Sequence, residues 1–199
     1  GLCIGVDAYQ HMGTLSNAVR DAEAIDRALK RVPGCYSEAI RNPATATELL
    51  RQVRVRLKDP ELAQRPPELI VVYYAGHGIQ QRGMMWLVPA HANIHDPDED
   101  LSRECLSLNA LLKALHRHLD QPVQSRFGAD KAPVFLVVLD ACRDELVRGF
   151  DGLLALEPNA GEAPRKYKIL FSCSRKTTAN DGPSGGHSLF ARAMLDTEH

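Results

Sequence analysis

The chain has 199 residues, with 24 Lys and Arg against 25 Asp and Glu and a formal net charge of −1. That length suits one domain with a sizeable core. The balanced charge leaves no footprint for nucleic acid, and no apolar run approaches the roughly 20 residues of a membrane helix. No signal peptide is read at the start, which counts for little here, and the cytoplasmic location expected rests on the cysteine usage. The first residue is not Met, which reads as an excerpt or a processed product of a longer protein. Five cysteines is an odd number, and Cys3 and Cys173 sit in apolar runs. Both features favour reduced thiols over a disulfide framework. Cys35 and Cys105 sit among polar residues and carry no signal.

Leu2 to Val6 is a short apolar strand. Ser16 or Asn17 is placed to cap a helix over Ala18 to Arg31, whose apolar face is Ala18, Ala22, Ile25 and Leu29. Pro33-Gly34 ends it. A second strand is expected over Tyr36 to Arg41, and Asn42-Pro43 breaks it. Thr45 or Thr47 opens a helix to about Lys58, with Leu49, Leu50, Val53 and Leu57 on one side. After the strand ending near Gly78, Met84 to Val88 reads as the returning arm of a hairpin across Gln80 to Gly83. Leu106 to Leu119 has an amphipathic helical pattern. The segment from Arg143 to Lys166 is rich in Gly, Pro and charge and reads as a linker. Tyr167 to Ser172 is a further strand, and Ser188 to Leu195 begins a last helix. Strands alternating with helices predict a mostly parallel sheet covered on both faces.

Two stretches organise this pattern. Leu69-Ile-Val-Val-Tyr-Tyr-Ala-Gly-His-Gly78 is an unbroken apolar run, rich in β-branched and aromatic residues, with no helical period. It reads as a strand buried on both faces and closed by His77 between two glycines. Val134 to Leu139 has the same character and runs into Asp140-Ala-Cys-Arg-Asp144. Ligands of open α/β sheets bind beyond the carboxyl ends of the strands. Neighbouring strands would therefore bring an imidazole and a thiol to one edge, the two parts a cysteine nucleophile needs.

Tyr73-Tyr-Ala-Gly-His-Gly78 and Leu139-Asp-Ala-Cys-Arg-Asp144 resemble the histidine and cysteine motifs of the caspase-like cysteine peptidases, most closely the metacaspase and paracaspase branches and their prokaryotic members. Gly185-Gly-His-Ser-Leu-Phe190 resembles the segment after the family's small-subunit strand. The motifs occur in the family's order, 65 positions apart, each closing a buried strand. In true caspases the cysteine motif reads Gln-Ala-Cys, then Arg, Gln or Gly, then Gly. Here Asp140 and Asp144 replace the first and last of these, which argues against Asp specificity. The resemblance implies a three-layer α/β/α sandwich over 1–199, with a large-subunit-like part to about 148, a linker to about 166, and a small-subunit-like part from about 167. It further implies Cys142 as nucleophile, His77 as its base and acid, and the N–H groups of Gly78 and Cys142 as oxyanion donors. The family works as a dyad, so no orienting carboxylate is required.

Asp140 lies two residues before Cys142 and therefore on the same side of the strand. A carboxylate there attracts a cationic side chain and can hold Arg bidentately. The resemblance to Arg- and Lys-directed members places specificity acids at Asp140 and Asp21, with Asp181 a further candidate. The plainer reading of Asp21 is a solvated acid favoured by the helix dipole. For Asp140 that reading is weaker, because an acid ending a buried strand is costly without a partner. The acidic run Asp96, Asp98, Glu99 and Asp100, near His91 and His95, offers oxygen ligands for the Ca²⁺ some metacaspases need, but it has no EF-hand pattern and reads first as a solvated loop. His116 and His118 do not share a helical face. His187 reads as a residue near a helix cap, and Met84, Met85 and Trp86 as core or pocket wall. A basic-specific enzyme can cut its own linker after Arg148, Arg165 or Lys166.

The expected function is a cysteine endopeptidase cutting after Arg or Lys, with no cofactor and with a basic peptide as substrate. It would be one module of a larger protein carrying regulatory domains or partners. A catalytically silent caspase-like scaffold and an Asp-specific caspase are the alternatives. The intact His77 and Cys142 weigh against the silent form.

Overall fold

A computed structural model describes residues 1–58, 67–95, 100–115, 133–141, 144–145, 167–172 and 182–196. The two long apolar runs are strands β3 (Leu69–Gly76) and β7 (Val134–Ala141). They are joined by β1 (Leu2–Gly5), β2 (Glu38–Arg41) and β9 (Tyr167–Phe171) in a five-stranded sheet of order β2-β1-β3-β7-β9. Every neighbouring pair in it is parallel. Helix α1 (Ala18–Arg31) connects β1 to β2 in one direction along the sheet. Helix α2 (Ala46–Leu57) returns across β1 to β3 in the other. Right-handed crossovers that run in opposite directions must lie on opposite faces, so the sheet is covered twice and its order reverses between β1 and β3. The ligand crevice of such a sheet lies at this switch point.

Strand alternation divides the core. Cys3, Tyr73, Ala75 and Val138 face Ala18, Ala22 and Ile25 of α1, with Phe190 and Met194 of α4 (Leu189–Leu195) packed beside them. Ile4, Val72, Tyr74, Val137 and Leu139 share the other cluster with Leu49 and Val53 of α2 and with Leu108, Leu111 and Leu115 of α3, helical over 108–115. Each fully covered Leu or Tyr among these contributes about 2–3 kcal/mol of transfer free energy. Together these elements form the expected three-layer sandwich. Cys3 is fully buried, and burial pushes its thiol up to about 12.

A second sheet caps the carboxyl end of β3, with order β6-β5-β4-β8: β4 (Gly78–Gln81), β5 (Met84–Leu87), β6 (Leu106–Ser107) and β8 (Asp144–Glu145). The β4–β5 hairpin turns on Arg82 and Gly83, both at positive φ, so Gln80 and Gln81 belong to the strand rather than to the connection. Leu106 and Ser107 pair with β5 instead of opening the helix, which starts two residues later, at 108, with the Ser107 hydroxyl accepting from Ala110 N–H at 3.1 Å. The first residues expected in the linker, Asp144 and Glu145, pair parallel with β4. Cys105, which sits among polar residues in sequence, is buried in the larger core cluster. Residues 146–166, His116, His118, Cys142, Arg143, Cys173 and Asp181 lie outside the described residues. Among the described residues no helix is long and apolar enough to cross a membrane.

Candidate functional site

His77 follows directly on Gly76, and two phenols explain why that residue has no side chain. A Cβ on Gly76 would lie 2.7 Å from the Tyr9 hydroxyl and 2.8 Å from that of Tyr74, at a φ of +155°. Both hydroxyls hold the main chain of His77. Its N–H donates to Tyr9 Oη at 2.7 Å, and Tyr74 Oη donates to its carbonyl at 2.7 Å while accepting Val88 N–H at 3.2 Å. The Tyr9 ring packs against the imidazole with centroids 4.4 Å apart. The ring's Nε2 is 2.7 Å from the carbonyl oxygen of Gly13. A carbonyl only accepts, so Nε2 carries the hydrogen, and in the neutral ring Nδ1 keeps the lone pair. Among the described residues Nδ1 makes no hydrogen bond.

The loop that supplies Tyr9 and Gly13 is itself fastened. Asn42, at a φ of +42°, accepts the N–H groups of Asp7 and Ala8 at 2.8 and 3.1 Å. Its amide nitrogen donates to Asp7 Oδ1 at 3.0 Å. Asp7 Oδ2 accepts Val19 N–H at 3.3 Å, satisfying a donor in the first turn of α1. Asn17, at the cap position, makes no side-chain cap bond and instead donates to Pro183 O at 3.0 Å.

The register between β3 and β7 aligns Ala75 with Asp140 and Gly76 with Ala141. The residues next in sequence are His77 and Cys142. The second sheet orients Gly78. Val88 N–H donates to His77 O at 3.2 Å, so the main-chain groups of residue 77 face β5. Alternation along the ladder turns those of Gly78 to the other side, where β8 runs.

Asp140 and Asp21 come together on the α1 face. Tyr73 Oη donates to Asp140 Oδ2 at 3.1 Å, and the Ser188 hydroxyl donates to the same oxygen. Asp21 Oδ1 is 2.6 Å from His187 Nδ1, and its Oδ2 accepts Ser188 N–H at 3.0 Å. Asp21 is therefore not the solvated first-turn acid of the plainer reading: its side chain is 1 % exposed. Burial is the largest cause holding its carboxyl above the usual range, opposed by the bonds from His187 and Ser188. Burial, followed by the charge of Asp140, pushes the Tyr73 phenol up, so it stays a neutral donor. His187 is a site residue that sequence reasoning left at a helix cap. It stands next to the cap, Ser188, whose hydroxyl accepts Ala191 N–H at 2.9 Å.

Of the acidic run weighed for Ca²⁺, only Asp100 is among the described residues. Asp100 Oδ1 accepts Ser102 N–H at 3.1 Å and caps a short 3₁₀ turn. His91 Nε2 is 3.0 Å from the Gln10 side-chain amide. Residues 96–99 lie outside the described residues. No group of three or more His, Cys, Asp and Glu suited to a metal occurs among those described.

The sheet is covered on both faces, a histidine follows the strand at its switch point, and the adjoining strand leads in sequence into a cysteine. Against family models, residues 1–197 match the one described as Caspase domain. The chain belongs to the caspase-domain family of cysteine peptidases. A search of curated proteins found no match. The matched range includes His77, Cys142, Asp21 and Asp140.

Proposed function

We propose that this caspase domain is a cysteine endopeptidase of the metacaspase–paracaspase type that cleaves after Arg or Lys, with Cys142 as nucleophile and His77 as its proton acceptor. The observation that supports this best is the state of His77. Its main chain is clamped by Tyr9 and Tyr74, its Nε2–H is held by Gly13 O, and the lone pair of Nδ1 is left for a proton. In the reaction Nδ1 takes the thiol proton and the sulfur attacks the scissile carbonyl carbon. The C–S bond forms as the carbonyl π pair moves onto oxygen. Gly78 N–H, on the β8 side of β4, and Cys142 N–H receive that oxyanion. Collapse breaks the C–N bond, and the imidazolium protonates the departing amine. Water then hydrolyses the thioester with His77 as base, releasing the acid and restoring the thiol.

Specificity follows from charge. A pocket lined by Asp21 and Asp140 holds two carboxylates out of water, and a third from an Asp substrate would add an unpaired charge there. A basic side chain instead completes the pair. Asp181 joins the same pocket in this reading, and regulatory domains or partners control access. Cleavage of fluorogenic peptides varied at the residue before the scissile bond tests it, with and without Ca²⁺ and beside Cys142→Ala. Turnover after Arg or Lys that the variant abolishes is the expected result. Turnover after Asp overturns the specificity, and none under any condition overturns the activity in favour of a scaffold role.

A further inference from the structure

The segment from Gly182 to Ser188 crosses the first turns of α1, where residues 17–21 hold it. Asn17 donates to Pro183 O at 3.0 Å, and the Arg20 guanidinium donates to Gly185 O at 2.7 Å. Asp21 accepts His187 Nδ1 at 2.6 Å and Ser188 N–H at 3.0 Å. The His187 side chain is 32 % exposed where that of Asp21 is 1 %, so the imidazole lies between the acid and solvent. Both oxygens of Asp21 are thereby taken. Asp140 has one oxygen, Oδ2, bonded to Tyr73 and Ser188, and its Oδ1 makes no hydrogen bond among the described residues.

We propose that His187 occupies the place at Asp21 that a substrate's basic side chain takes, making residues 183–187 a latch that substrate must displace. The inference rests on reading Asp21 and Asp140 as the substrate acids. Ser188 marks the fixed end. It is buried, bonded to both acids and caps α4. Residues 183–185 are exposed, and Gly185 and Gly186 offer little rotational resistance to lifting away. When the ring leaves, Asp21 Oδ1 opens while Oδ2 stays on Ser188 N–H. Each acid then presents one open oxygen, and a guanidinium or ammonium can bridge the two. His187 thus sets how strongly a cation must bind in order to enter, and is a specificity-determining residue.

Agmatine, which carries the guanidinium but no scissile bond, separates this from catalysis. Its affinity for the whole chain is measured by calorimetry for wild type, His187→Ala, His187→Gln, Asp140→Asn and the double variant His187→Ala/Asp21→Asn. Removing a charge-assisted competitor should tighten binding about tenfold or more in His187→Ala. His187→Gln, which keeps a donor, should stay near wild type, and the double variant should lose the gain. In wild type, saturating agmatine should also move the His187 ring resonance, assigned by its loss in His187→Gln. That reading survives if His187→Ala folds poorly. Unchanged affinity in His187→Ala with binding lost in Asp140→Asn, or an unmoved ring resonance on saturation, overturns the latch but keeps the basic pocket. Binding to no folded variant overturns both. A tenfold gain in a protein that cleaves no peptide supports the latch and removes the catalytic reading alone.

Discussion

The main-chain N–H of His77 donates to the hydroxyl of Tyr9 at 2.7 Å, across 68 positions of sequence. The same hydroxyl donates onward to Val88 O at 3.4 Å, and burial pushes its phenol up, so it remains neutral at working pH. Tyr9 thus holds both the main chain and the ring of His77 in place.

Tyr9→Phe keeps the ring and deletes the acceptor. With the Cys142–His77 chemistry proposed above, kcat should fall about three- to tenfold with KM unchanged. Stability should fall by roughly 1–2 kcal/mol, because a half-buried N–H loses its partner. Steady-state kinetics and urea denaturation check both. A variant whose KM rises at constant kcat would place Tyr9 in substrate binding instead.

Gly76→Ala sets a Cβ against the two hydroxyls that hold His77, at 2.7 and 2.8 Å. The expected cost is about 3 kcal/mol, from overpacking a tight contact, together with loss of activity. Gly34→Ala is the control, since it also has positive φ but nothing within 4 Å. It should cost only the backbone strain, about 1–2 kcal/mol. Equal denaturation midpoints for the two variants would show that the phenols yield easily.

Asp21 gives stability a slope with pH. Its folded carboxyl titrates above the ordinary Asp value, with burial as the first cause. The folded protein therefore keeps this proton at pH values where the unfolded chain has lost it. The resulting stability is complete below the unfolded pKa and is lost as pH rises through the folded one. Asp21→Asn, neutral and similar in shape, removes that contribution. The stability of wild type relative to the variant should decline from about pH 4 upward, as read from urea midpoints across a buffer series. Parallel curves would contradict the assignment.

The centre of the sheet was legible because β3 and β7 are unbroken apolar runs, rich in β-branched residues and without a helical period. Each of Tyr73 and Tyr74 serves a different face, as period-two alternation requires: one bonds Asp140, the other His77. The errors arose where pairing overrides local pattern. Leu106 and Ser107 fit the helical period of the residues that follow, yet a free edge on β5 takes them as a strand. Asp144 and Glu145 look like linker residues but add to the edge of β4. Cys105 has polar neighbours in sequence and apolar ones in space. In the site, His77 and Asp140 stand at strand ends, as their runs imply, whereas Asp21 was singled out by the family resemblance rather than by its local pattern. The contact of His187 with Asp21 spans 166 positions and has no local signal beyond Gly185-Gly186 freeing the chain before a capping serine.

The pairing of β9 with β7 over five registered residues, and the grip of α1 on the segment before α4, tie the end of the chain to its beginning without using the residues between 146 and 166. A break in that interval would cut the polypeptide and leave two fragments associated. Such a break would spare the ladder between β7 and β9 and the contacts around Asp21, so two covalently separate chains would still share one sheet.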